Sequence, residues 1–212
     1  MLLYRSLYGY GEAEYVIQKS RFIAQAMPVE TYDEAKAFVM KVKEKYRDAT
    51  HNVPAIITGP GQEVQWASDD GEPSGTSGLP VLKMIAGEGL TNLVVVITRY
   101  FGGIKLGTGG LARAYTAAAR LGIEAAGRCD VMESSLLRYE FEYSFLSKLQ
   151  NLAADGKFEL TDPEYSDVVR AQFRCLSENE SEIRSLMTNL TSGHARILSE
   201  EKGIIRIRTD RG

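Results

Sequence analysis

Two glycine-rich stretches hold the side chains best suited to chemistry. The first, 68-SDDGEPSGTSGLP-80, sets Asp69, Asp70 and Glu72 among the hydroxyls of Ser68, Ser74, Thr76 and Ser77. Carboxylates this close could bind Mg²⁺ through oxygen or act as acid and base. The same residue types also cap turns and satisfy backbone groups, so both readings stand. The second stretch, 98-TRYFGGIKLGTGGLARAY-115, sets Arg99, Lys105 and Arg113 beside Tyr100 and Phe101. Basic groups beside aromatic rings suit phosphate neutralisation and base stacking. Gly102, Gly103, Gly107, Gly109 and Gly110 would let a ligand approach the backbone closely. A helix starting there would offer free N–H groups and the positive end of its dipole to an anion. Against this stands a plainer alternative, in which an aromatic ring packs into the core and the glycines only make turns.

Several familiar motifs fail on spacing. Gly107, Gly109 and Ala112 satisfy G-x-G-x-x-A, but Ile97 lies too far upstream for a tight turn straight off a strand. Lys105 precedes the last glycines, so there is no phosphate loop of the G-x-x-x-x-G-K-[ST] type. Ser74, His51 and Asp69 could be imagined as a triad, but G-x-S-x-G is absent. His51, in 49-ATHN-52, fits better as a hydrogen-bonding residue at a strand start. Two histidines and no H-E-x-x-H give no peptidase-type metal-ligand set, and no metal or cofactor is assigned, with Mg²⁺ on Asp69, Asp70 and Glu72 left open.

These loops need elements to hold them. Residues 13–27 suggest paired strands. Thr31 and Glu34 form a T-x-x-E capping box ahead of Ala35, Phe38, Val39, Val42 and Tyr46, which predicts a helix from Thr31 to Tyr46. Strands are predicted near Ala55–Thr58 and Glu63–Ala67, and a short helix over Pro80–Ile85. Leu93–Ile97 is the most apolar strand, and a helix of about Leu111 to Ala126 follows the second loop. Beyond Cys129 the pattern changes. Alternation over residues 137–143, a helix at 145–152, strands at 158–162 and 168–175, a capping box at Ser177 and Glu180, and closing strand character from Ile197 give the order β-α-β-β-α-β. The chain thus divides into 1–130 and 131–212.

Composition bounds the function. The chain has 212 residues, 44% hydrophobic and 25% charged, with formal net charge −3. These proportions exclude a disordered or collagen-like chain. Two cysteines far apart give no disulfide framework. The run 93-LVVVI-97 is far too short to span a bilayer, and the start lacks a signal-peptide pattern. A reduced cytoplasm and no membrane contact are the expectation. The charge is uneven: residues 131–212 carry the whole −3, residues 63–72 hold a local −4, and residues 99–128 a local +4. A general nucleic-acid coat is excluded, whereas a local mixed-charge site is not.

The two loop strings, with 19-KSRFIA-24 and 49-ATHN-52 in support, closely resemble the signature of the IMPACT family in its bacterial, YigZ-type two-domain form. One departure is that Val53 and Pro54 stand where bacterial relatives commonly carry Cys and an aromatic. The resemblance implies an α+β fold. The N-terminal domain would look like the second domain of a small-subunit ribosomal protein, as in domain IV of elongation factor G. The C-terminal domain would be ferredoxin-like. It also implies an association with translation and RNA. The favoured expectation is a non-enzymatic RNA- or ribosome-associated protein, with Arg21, Arg99, Lys105 and Arg113 on phosphate and Tyr100 or Phe101 stacking. Two alternatives remain: an enzyme acting on a small phosphorylated or anionic molecule, and a module whose acidic C-terminal domain binds a protein partner.

Overall fold

The computed structural model describes residues 1–209. In chain order the elements are β1 (Leu2–Leu7), β2 (Gly11–Ile17), β3 (Ser20–Pro28), α1 (Tyr32–Lys45), β4 (His51–Thr58), β5 (Val64–Ala67), α2 (Gly78–Gly87), β6 (Leu93–Tyr100), α3 (Gly107–Ala126), β7 (Arg128–Phe141), α4 (Leu146–Ala153), β8 (Glu159–Tyr165), β9 (Val169–Leu176), α5 (Glu180–Leu190) and β10 (Arg196–Arg208). They form two compact units. One comprises Tyr4–Asp130 and the chain from Ile207, the other Met1–Leu3 and Val131–Arg206. No helix among the described residues is long and apolar enough to cross a membrane.

The first unit is a five-stranded sheet in the order β2-β3-β6-β4-β5. Strands alternate their side chains between two faces, and here both faces are covered. Phe22, Ala24, Ala26, Val95 and Ile97 face a core shared with α2 and α3. Val94, Val96 and Ile56 face α1, which contributes Ala35, Phe38, Val39 and Val42. Burial on both sides explains the near-continuous apolar run of β6. Helix α1 begins as its sequence suggests: the Thr31 hydroxyl accepts from Glu34 N at 3.2 Å. The reciprocal bond shifts by one residue, because the Glu34 carboxylate takes the N–H of Glu30 at 2.8 Å.

Two boundaries differ from the sequence expectation, and both move site residues. Strand β6 runs on through Thr98, Arg99 and Tyr100, paired with β3 on one side and carrying Arg99 beside His51 of β4 on the other. Helix α3 starts at Gly107 rather than about Leu111, so the GTGG segment forms its first turn. Glycines weaken a helix start, but Leu111, Ala114, Tyr115 and Ala118 bury one stripe of α3 and hold it.

In the second unit β7, α4, β8, β9, α5 and β10 follow the ferredoxin-like order. Strands β7 and β9 pair from Ser134↔Leu176 to Phe141↔Val169, and β10 lies beside β7. Leu137, Phe141, Leu149, Phe173 and Ile183 fill its core. Strand β1, which the sequence does not announce, pairs with β7 in this sheet. The predicted Ser177–Glu180 capping box does not form. A 3₁₀ turn occupies Ser177–Asn179, and the Glu180 carboxylate turns to Ser135, Arg184 and Lys202 instead.

Candidate functional site

The two glycine-rich stretches converge on one cleft of about 430 Å³ in the first unit. Its lining includes His51, Glu72, Arg99, Phe101, Lys105 and Thr108. Helix α3 aims its first turn at it, and no side chain caps that turn. The leading N–H groups of a helix have no partner within it.

The three clustered carboxylates do different work. Asp69 knots its own loop: it accepts from Gly75 N at 2.7 Å, Ser77 N at 3.1 Å, Gly78 N at 2.9 Å and the Ser77 hydroxyl at 2.6 Å. Burial pushes its carboxyl up, but the Ser77 hydroxyl and these backbone donors outweigh that and hold it below the usual aspartate range. Asp70 accepts from Lys43 of α1 at 2.5 Å and from Asn52 N at 2.6 Å. Glu72 is buried and accepts from Arg99 at 2.5 Å and from the Tyr115 hydroxyl at 2.7 Å. They therefore do not converge as one Mg²⁺ set, and among the described residues no group of three His, Cys, Asp or Glu could hold a metal. Of the hydroxyls, Ser68 accepts from Asp70 N at 3.1 Å and Thr76 donates to Pro73 O at 2.6 Å. Ser74 stays exposed at the loop tip.

Arg99 corrects the picture of a row of phosphate-binding cations. It is 5% exposed, bonded to Glu72 and sandwiched by Phe22 and Phe101, each ring centre 5.4 Å away. Its charge is cancelled inside the cleft. Arg21 and Tyr100 leave the constellation altogether. They are direct partners across β3 and β6, one residue out of phase with the Phe22–Arg99 pair, and so lie on the opposite face of the sheet. There Arg21 pairs with Glu14 at 2.7 Å, and the Tyr100 hydroxyl donates to Asp48 at 3.1 Å. Burial first, then Asp48, raises the Tyr100 phenol above its ordinary value. Arg113 is exposed on α3 beside Thr116 and Arg120 and does not line the cleft. Phe101 and Lys105 remain exposed at the cleft.

The glycines divide by role. Gly102 sits against the Lys19–Ser20 backbone, where an added Cβ would meet Lys19 C at 2.0 Å. Gly103 and Gly107 adopt φ of +84° and +70° in open space, a region that side chains disfavour. Gly109 and Gly110 lie within the first turn of α3.

His51 heads β4 and points one nitrogen at the Asp70 carbonyl, 2.7 Å away. A carbonyl only accepts, so Nδ1 carries the proton and Nε2 is the nitrogen turned to the cleft. Nε2 lies 3.8 Å from Glu72 Oε2. The sequence motifs do not single out Tyr115. Its signal is a hydroxyl-bearing ring on an otherwise apolar helix stripe, which must find a buried partner.

The comparisons with known proteins agree with this architecture. The Impact N-terminal domain matches residues 18–123, and a domain of unknown function, DUF1949, matches residues 140–194. IMPACT family member YvyE of Bacillus subtilis (strain 168) is 39% identical over 194 residues, covering 90% of this chain and 88% of its own. IMPACT family member YigZ of Escherichia coli (strain K12) is 31% identical over 192 residues, covering 88% and 92%. A crystal structure of a protein described as hypothetical is 28% identical, with TM-score 0.58 over 94% of this chain and 98% of that one. On the domain match and on relatives aligned over most of both lengths, the chain belongs to the IMPACT family.

Proposed function

We propose that the protein is a non-enzymatic, RNA-associated factor in translational control, holding one nucleotide of a single strand in the cleft between its glycine-rich motifs. The observation that carries this is the distribution of charge in the cleft. Glu72 neutralises Arg99 in the interior, so the exposed features are the Phe101 ring, the Lys105 ammonium and the uncapped start of α3. An aromatic face, one cation and a row of N–H groups suit a base and its phosphate. With so few phosphate contacts, the salt dependence of binding should be shallow, losing about one unit of slope per contact removed. Membership in the IMPACT family supports the link to translation.

The test is fluorescence anisotropy with a short single-stranded RNA at two salt concentrations. Lys105→Ala should weaken binding and flatten the slope by about one. Phe101→Ala should cost about 1–3 kcal/mol at either salt concentration. Binding that ignores both substitutions would end this reading. One observation favours a second reading, chemistry on a small anionic molecule: the Asp70 carbonyl fixes the His51 tautomer and leaves Nε2 toward the cleft. Turnover lost in His51→Ala would mark that case.

A further inference from the structure

The opposite face of the first sheet carries another cleft, of about 670 Å³, that the proposed function does not use. It exists because α1 packs over β4 and β6 and leaves part of β3 uncovered beside it. Gln25 and Met27 of β3 and Phe38 of α1 line it. Tyr10 closes one side, its ring edge-on to Phe38 at 6.3 Å. Lys41 and Lys45 stand exposed at its border.

Gln25 does not fit a purely structural surface. It is 1% exposed, and its amide nitrogen is buried with no hydrogen-bond partner. Such groups are uncommon in folded proteins, because a buried donor without an acceptor carries a free-energy penalty. An apolar side chain would fill the position without that penalty, as Ile23 and Met27 do on the same strand. The mouth shows a parallel feature. Lys45 is engaged by Glu12 and by the Tyr46 ring, whereas Lys41 has no ion-pair partner among the described residues.

We propose that this cleft binds a nucleoside monophosphate, with the base edge on the Gln25 carboxamide and the phosphate on Lys41. A carboxamide presents one donor and one acceptor in a plane, the pair that matches the N6 and N7 edge of adenine. Its terminal torsion is soft, so it can turn that edge to a ligand. Met27 and Phe38 provide apolar contact for a planar ring, and the volume falls within the range of small-molecule sites. The site is separate from the cleft between the glycine-rich motifs. Phe22 and Arg99 turn to one face of the sheet, whereas Gln25 is out of phase with Phe22 and turns to the other.

The experiment is calorimetric titration of the full chain with AMP, alongside adenosine and ribose 5-phosphate. AMP should bind more tightly than either fragment. Gln25→Met and Lys41→Ala should each weaken AMP at least about tenfold. Gln25→Met is close in size and removes the unpartnered nitrogen, so its melting temperature should not fall. Lys41→Ala changes an exposed side chain and provides a test independent of folding. Absence of AMP binding at millimolar concentration overturns the proposal, as does binding unchanged by both substitutions. Ribose 5-phosphate binding as tightly as AMP removes base recognition and overturns it too. Loss of AMP binding in Phe101→Ala would assign the nucleotide to the other cleft and equally overturn it.

Discussion

Tyr115 and Arg99 share a single acceptor atom. The Tyr115 hydroxyl donates to Glu72 Oε1 at 2.7 Å, and Arg99 Nη1 reaches the same oxygen at 2.5 Å. One residue comes from α3, one from β6 and the acceptor from the first glycine-rich loop. All three are buried. A single carboxylate thus ties the loop to both walls of the cleft. Burial first, then Glu72, pushes the Tyr115 phenol far above its ordinary range, so it remains a donor at any working pH.

Removing the shared acceptor should be severe. Glu72→Ala leaves Arg99 in the interior with its main partner gone, a change that typically costs about 3–5 kcal/mol. Tyr115→Phe removes one hydroxyl and keeps the ion pair, so its cost should be smaller, about 1–3 kcal/mol. Urea unfolding measures both. A Glu72→Ala midpoint equal to that of the parent protein would show that the ion pair does not hold the loop.

Asp69 acts within its loop, and acid should reveal it. Its folded carboxyl lies below the usual aspartate value, so its stabilising bonds are fully present above about pH 3.9 and fade as pH falls through the folded value. Asp69→Asn should cost about 1–2 kcal/mol at neutral pH, because an amide cannot accept as many backbone donors. The gap between parent and variant should narrow in acid. Equal gaps at pH 7 and pH 2 would mean that the charge on Asp69 does not matter.

Gly102 tests why a glycine stands in the second motif. Its constraint is contact rather than conformation, since an added Cβ would strike the Lys19–Ser20 backbone. Gly102→Ala should therefore destabilise by about 1–3 kcal/mol. It should also loosen the Ser20 hydroxyl, which now accepts from Gly102 N at 3.2 Å and meets Arg99 Nη2 at 3.4 Å. Thermal melting reads the first effect. Faster amide exchange at position 102 reads the second, and unchanged exchange would separate this position from the Arg99 support.

The elements were largely legible because hydrophobic period and turn chemistry act locally. The α1 start at Thr31 is an example, read from a hydroxyl and a carboxylate three residues apart. The site was legible as a pair of loops, but the roles within it were not. Arg99 looks like a loop cation in sequence, because a charged residue after an apolar strand marks the strand's end. Only the register, which sets Arg99 beside Phe22 and His51, shows that it continues the strand facing inward. The placement of Arg21 and Tyr100 on the other face was hidden for the same reason, since one step along a strand reverses the face. Strand β1 was hidden because its pairing with β7 bridges more than a hundred residues of chain. The Ser177–Glu180 pair has the composition of a capping box, but Ser135, Arg184 and Lys202 compete for the same carboxylate.

That competition yields the last prediction. Glu180 accepts from Lys202 at 2.7 Å, from the Ser135 hydroxyl at 2.7 Å and from Arg184 at 2.9 Å. Lys202, then Ser135 and Arg184, bring its carboxyl down to about 2. An unfolded glutamate titrates near 4.3. A depressed folded value means the network's contribution is complete above about pH 4.3 and is lost as pH falls toward 2. The Lys202 side chain is 53% exposed, so solvent screening reduces what the shift would imply at full strength. Glu180→Gln should therefore cost about 1–2 kcal/mol at pH 7. At pH 2, close to its folded value, the parent carboxyl is about half protonated, and most of the gap in urea midpoint between the two proteins should be gone. Lys202→Met should reproduce part of the neutral-pH loss with the same acid dependence, because it removes the largest contributor to the shift. A Glu180→Gln deficit that persists undiminished at pH 2 would show that packing around Glu180, rather than its charge, holds α5 to β7 and β10.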